Sequence, residues 1–158
     1  MSAVSGAALQ LVQDDEADLL LASLERLSGR EPEFVERFYA LFFERHPEVT
    51  KLFGEHSLSE QEEMVQETFV SLVAVVENEP WLQTNLEAMG KSHAEYGVED
   101  RMYDWLLECM LDALEMTLGA DYLDEYGPAW RSALGHLTDV MRAAGARASA
   151  PADGPDLK

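Results

Sequence analysis

A chain of 158 residues and 17.7 kDa fits one domain, and a 47% share of hydrophobic residues excludes a wholly disordered chain. Lys plus Arg is 11 and Asp plus Glu is 31, so the net charge is −20 and the pI about 4.3, which argues against nucleic acid and anionic membranes as partners. There is no apolar run of membrane-spanning length and no basic-then-apolar leader, and the one cysteine, Cys109, excludes an internal disulfide and a cysteine zinc cluster. A cytoplasmic location is the expectation.

The predicted elements are all helical. Residues 1–13 read as a flexible N-terminal tail, because the segment opens on small residues. Leu19, Leu20, Leu24 and Leu27 mark a first helix, broken by Gly29 and Pro32. Phe34, Phe38, Leu41 and Phe42 mark a second, which must end or turn at Pro47. A short segment reaches Phe53 and Gly54. Leu58, Val65, Phe69, Leu72 and Val76 mark the next helix, with Ser57 or Ser59 as its cap. Pro80 opens a helix striped by Leu82, Leu86 and Met89 and closed by Gly97. Met102, Leu106, Met110 and Ala113 mark a long helix ending near Gly119. Pro128 is expected to start the last, with Trp130, Ala133, Leu134, Leu137 and Met141 on its buried face. Residues 145–158 carry two prolines and no apolar period, and read as a disordered tail. Strand signals are missing, so the expectation is an all-α domain over residues 14–144.

Four histidines and one cysteine are the scarce reactive side chains. His46 falls at a helix end, His56 in a polar loop, and His136 off the apolar stripe of its helix; all three read as surface or structural. His93 differs. The steps Leu82, Leu86, Met89, His93 put an imidazole on the buried face, one turn before Gly97. A histidine on an apolar face is most often a satisfied core residue, but a haem needs just one such ligand. Tyr39 shares a face with Val35 and Phe42, either as a core tyrosine bonded to a carbonyl or with its hydroxyl in a pocket. Gln61 stands four residues before Val65, either at the rim or buried with a task. Cys109 reads as a small buried hydrophobe or a dimer contact.

Phe38-Tyr39, Arg45-His46-Pro47-Glu48-Val49, Leu52-Phe53, Lys91-Ser92-His93-Ala94-Glu95-Tyr96-Gly97-Val98, Tyr103 and Ala129-Trp130 stand in an order that resembles the globins. The nearest branch is the bacterial single-domain haemoglobins, similar to the globin part of flavohaemoglobins. Tyr39 lies fourteen residues before Phe53, and Gln61 lies 32 before His93, as that branch has them. The resemblance covers residues 14 to 144. It implies a globin fold of six to eight helices around haem b, with His93 on the iron and Phe53 stacked on the haem. Tyr39 and Gln61 would be the distal polar pair, with Val65 beside the ligand. Met89, Val98, Tyr103 and Leu106 would line the haem.

The implied ligands are O2, CO and NO. A bound oxygen carries partial negative charge, and hydrogen bonds from Tyr39 and Gln61 would hold it. The resemblance also implies a proximal Tyr and Glu around the histidine. Tyr103 matches the tyrosine, but Gly145 stands where the glutamate belongs, so Ser92 is the alternative partner for the imidazole. That favours reversible oxygen binding, as carrier or store, over catalysis. The competing readings are a nitric oxide dioxygenase served by an external reductase, for whose module this length leaves no space, and a haem-based gas sensor. A homodimer through the last two helices is compatible with all three. Only three lysines accompany the acid excess, a balance that suits a salty cytoplasm or a merely soluble acidic protein.

Overall fold

The structure, a computed structural model, describes residues 14–53 and 58–149. Seven α-helices and one 3-10 turn make up these residues, with no strand among them. They are α1 (Asp14–Leu27), α2 (Glu31–Arg45), the 3-10 turn Pro47–Val49, α3 (Thr50–Phe53), α4 (Leu58–Glu77), α5 (Leu82–Tyr96), α6 (Asp100–Leu118) and α7 (Ala120–Ser149). This is the all-α class that the 3.6-residue periodicity predicts. The expectations for residues 1–13, Gly54, His56, Ser57 and residues 150–158 concern positions outside the described residues.

Local chemistry sets the breaks. Gly29 takes a left-handed φ of +85°, and the chain re-enters a helix with Pro32 in the first turn of α2. That helix buries Phe34, Val35, Phe38, Tyr39 and Phe42, one apolar face repeating every three to four residues. It stops at His46, whose N–H donates to the Phe42 carbonyl before Pro47 bars further α-helix. Gly97, with φ +102°, caps α5. Glu99 caps α6, its N–H donating to the Met102 sulfur at 3.3 Å.

The core joins the two ends of the chain. Trp130 is wholly buried and donates its indole N–H to Ser23 Oγ at 2.7 Å, and Ser23 in turn donates to the Leu20 carbonyl. Phe34 packs against both Phe69 and Trp130. So α1, α2, α4 and α7 share one aromatic centre, in which the indole's polar atom is satisfied.

Two boundaries differ from expectation. Pro128 does not start the last helix but lies inside α7, which begins at Ala120. A proline removes one helical hydrogen bond. The stretch before it is nonetheless held by packing: Tyr126 is buried, Tyr122 stacks on it at 5.4 Å, and Arg26 of α1 covers the Tyr122 ring. At the other end α7 continues to Ser149, five residues into the expected tail. Alanines are strong helix formers, and Ala144 and Gly145 are buried against the chain rather than loose. No helix is long and apolar enough to cross a membrane among the described residues.

Candidate functional site

Two cavities of about 730 and 970 Å³, each open to solvent, share Phe42, Phe53, Met64, His93, Tyr103 and Leu106 in their walls. They therefore form one slot between α2, α3, α4, α5, α6 and α7. Its lining is apolar and aromatic with few polar groups, the composition of a ligand cleft. The aromatic side is dense. Tyr39 meets Phe53 edge-on at 5.3 Å and Phe38 at 4.8 Å, and Phe53 meets Phe43 at 5.3 Å.

The structure brings most of the candidate residues to this slot. Tyr39, Val65 and Met89 line the first cavity, Val98 the second, and Phe53, His93, Tyr103 and Leu106 both. Gln61 does not line either. Its main chain instead meets Tyr39, whose hydroxyl donates to the Gln61 carbonyl at 3.2 Å and lies 3.9 Å from the Met64 sulfur. Met64 is one of the wall residues that the sequence reading misses. It sits one position before Val65, at the edge of the apolar stripe, and is 38% exposed. A methionine at helix spacing from both Gln61 and Thr68 is the signal that was available.

His93 is oriented by its own helix. Its Nδ1 lies 2.7 Å from the Met89 carbonyl, one turn back. A carbonyl can only accept, so Nδ1 carries the proton and Nε2 keeps its lone pair for the slot. The imidazole partner is thus a main-chain oxygen, and not the Ser92 hydroxyl that the sequence suggested as the alternative. The backbone around it is fixed as well: the Val98 N–H donates to the His93 carbonyl at 3.0 Å.

On that side of the slot Tyr103 is 8% exposed and makes no hydrogen bond to His93 among the described residues. The glutamate position is a tight helix crossing. A Cβ at Gly145 would lie 3.2 Å from the Gly90 carbonyl and 3.3 Å from Ala94 Cβ, so even a small side chain there needs a shift of a few tenths of an ångström. One turn earlier stands Arg142, its guanidinium 5.6 Å from the Tyr103 ring centre and tied to Asp100 at 3.1 Å and Asp104 at 2.6 Å. A cation clamped by two carboxylates therefore stands over the Tyr103 ring.

Burial pushes the phenols of Tyr39 and Tyr103 up, Tyr103 from 10.0 to about 12, with Arg142 opposing and Asp100 adding to the rise. Both are neutral donors at any physiological pH. Stability from keeping them neutral is complete below pH 10, and for Tyr103 it is lost as pH climbs from there through about 12. An ultraviolet titration of phenolate should show these two ionising after free tyrosine does, together with loss of helical signal. Ionisation of all five tyrosines at the free value, with the fold intact, would contradict the burial.

The other scarce residues are structural. His46 stacks on Trp105 at 4.0 Å and 4°, capped by Arg101 at 5.1 Å from the indole. Cys109 is 1% exposed and its thiol is pushed up by burial, with Arg45 opposing, so it is a buried hydrophobe. No group of three or more His, Cys, Asp or Glu suited to a metal ion exists among the described residues.

The residues present fit a haem on an observation independent of family. The slot offers one imidazole with a free Nε2, aromatic and aliphatic walls, and a neutral hydroxyl from Tyr39.

Comparison with known proteins agrees. The family model described as Globin matches residues 36–141. A flavohemoprotein of Rhizobium meliloti (strain 1021) is 27% identical over 126 residues, which are 78% of this chain and 31% of that protein. The chain thus spans about a third of the length of the flavohemoproteins it matches. An uncharacterized globin-like protein of Aquifex aeolicus (strain VF5) is 21% identical over 131 residues, 83% of this chain and 92% of that one. Among solved structures, an engineered carbene transferase from Rhodothermus marinus superposes with a TM-score of 0.74 at 26% identity, covering 86% of this chain and 94% of that one. A Pseudomonas aeruginosa protein described as structurally highly homologous to human haemoglobin has a TM-score of 0.72 at 23% identity, which bears on fold alone. With the helical order, the slot and a family match over most of its folded length, this chain belongs to the globin family.

Proposed function

We propose that this protein binds haem b and uses it to bind oxygen reversibly, with carbon monoxide and nitric oxide as further ligands. One observation carries the reading: in an apolar slot, the His93 Nδ1–H is tied to the Met89 carbonyl, so the Nε2 lone pair is free. His93 would ligate the iron, and Phe53, Val98, Leu106 and Met89 would pack on the macrocycle. When bound, the haem supplies an iron with one open coordination position for a diatomic gas.

The chain's own residues do the rest. Phe38, Phe42, Val65 and Leu106 give the slot apolar walls, which would limit water-promoted loss of the ferrous state. Burial holds the Tyr39 hydroxyl in its neutral form, the form that donates to a ligand bearing partial negative charge. On the opposite side, the main-chain carbonyl of Met89 is a weaker proton acceptor than a carboxylate, so it pulls less on the Nδ1 proton and the imidazole would be the weaker electron donor to an iron. That supports carriage or storage over chemistry that needs a strongly donating histidine. The flavohemoprotein relatives support a second reading, a nitric oxide dioxygenase that draws electrons from a separate reductase. Sustained nitric oxide consumption with an electron donor separates the two.

The test is the visible spectrum of the reduced, haem-supplied protein with and without oxygen and carbon monoxide, beside His93→Ala. The expected result is a Soret band that moves with each gas in the parent and is lost or altered in the variant. A parent that takes up no haem overturns the reading.

A further inference from the structure

The Tyr39 hydroxyl has a second partner that the distal pair does not account for. It donates to the Gln61 carbonyl at 3.2 Å and approaches the Met64 sulfur at 3.9 Å. The carbonyl belongs to the body of α4, where it already serves the helix. The thioether has no such duty and is a weak acceptor. Met64 is also the α4 side chain that walls both cavities of the slot, while Gln61 lines neither.

We infer that Met64 is the distal positioning residue of this protein: its sulfur competes with the gas ligand for the Tyr39 hydroxyl and so sets how firmly that hydroxyl holds the ligand. This rests on the haem reading above and deepens it. The hydroxyl rests against α4, between the Gln61 carbonyl and the Met64 sulfur. To donate to a ligand it must leave both. A parked donor weakens ligand binding by the strength of the contacts it gives up. The sulfur contact is the tunable one, because a side chain can be changed and a helical carbonyl cannot.

Leucine nearly conserves the volume of methionine and deletes the acceptor. At a site 38% exposed, Met64→Leu leaves no sealed void. The expected result is oxygen release slowed about 3-fold, within the range of one weak hydrogen bond. The stretch of the carbon monoxide complex should move to lower frequency, reporting a stronger positive field from Tyr39. In a Tyr39→Phe background the same substitution should change neither quantity.

Equal effects with and without Tyr39 would mean packing alone, and overturn the inference. So would no effect in the parent background. A gas-free ferrous spectrum that is six-coordinate in the parent and five-coordinate in Met64→Leu would also overturn it, by making the sulfur itself the ligand. In all three cases the Soret response to gases still stands, so the haem reading survives. A parent without haem uptake overturns both.

Discussion

Tyr39→Phe should release oxygen faster on the order of 5- to 150-fold, the range expected when a hydrogen bond worth about 1–3 kcal/mol is lost from an apolar-walled pocket. The magnitude depends on desolvation. Tyr39 is 5% exposed, and burial drives its pKa up, so the hydroxyl is a neutral donor in a medium that screens little. Phenylalanine keeps the ring, and with it the edge contacts to Phe38 at 4.8 Å and Phe53 at 5.3 Å. The slot therefore keeps its shape and loses one polar atom. Two consequences separate this from a packing defect. Carbon monoxide, which carries little charge, should leave at a rate changed far less than oxygen. The rate of autoxidation should rise, because a less firmly held ligand lets water and protons in. Stopped-flow displacement of oxygen measures the first quantity. An unchanged release rate would remove Tyr39 from the distal role and shift attention to whichever group near Met64 and Thr68 holds the ligand.

How much of this site could be read in the sequence follows from the range of each interaction. The stripe Leu82, Leu86, Met89, His93 is a property of one helix, and spacing of three and four residues suffices to put the imidazole on the inner face. The burial of Tyr39 beside Phe38 and Phe42 is legible for the same reason. What escaped are features set across the fold or by a rotamer. The Nδ1 partner is a carbonyl four residues back, and choosing it over the adjacent Ser92 hydroxyl depends on the direction of one ring, which residue types do not encode. Pro128 carries a local start signal, yet α7 begins at Ala120, and the turns before the proline are held by the Tyr122–Tyr126 stack, a contact that a local signal does not encode. Gly145 reads as an absent glutamate and the start of a tail. Its reason lies 55 positions earlier, at Gly90, where another helix needs the space.

That crossing carries the second large effect. Gly90→Ala should destabilise the protein by about 3 kcal/mol, the upper end for overpacking a close-packed site, and lower its melting temperature by roughly 6–12 °C. Two terms oppose each other. Alanine favours a helix over glycine by about 1 kcal/mol, and α5 is a regular helix at this point. Against that, the new Cβ would lie 2.3 Å from the Met141 carbonyl oxygen, 2.7 Å from its Cα and 2.8 Å from its carbonyl carbon. All three are backbone atoms, so no rotamer relieves the contact and α5 must move off α7. The clash wins because relief costs packing along the whole crossing. Gly135→Ala on α7 is the control: nothing lies within 4 Å of its added Cβ, so there the helix term acts alone and the protein should gain up to about 1 kcal/mol. The same chemical change thus has opposite signs at two helical glycines, decided by what faces each. Haem affinity should follow the first variant and not the second, since Gly90 stands between Met89 and His93 on the helix that aims the imidazole. Thermal melts of both variants measure the first claim, and haem transfer to an apo-acceptor measures the second. A Gly90→Ala protein that melts at or above the parent would show that the crossing yields, and that glycine there serves no close approach.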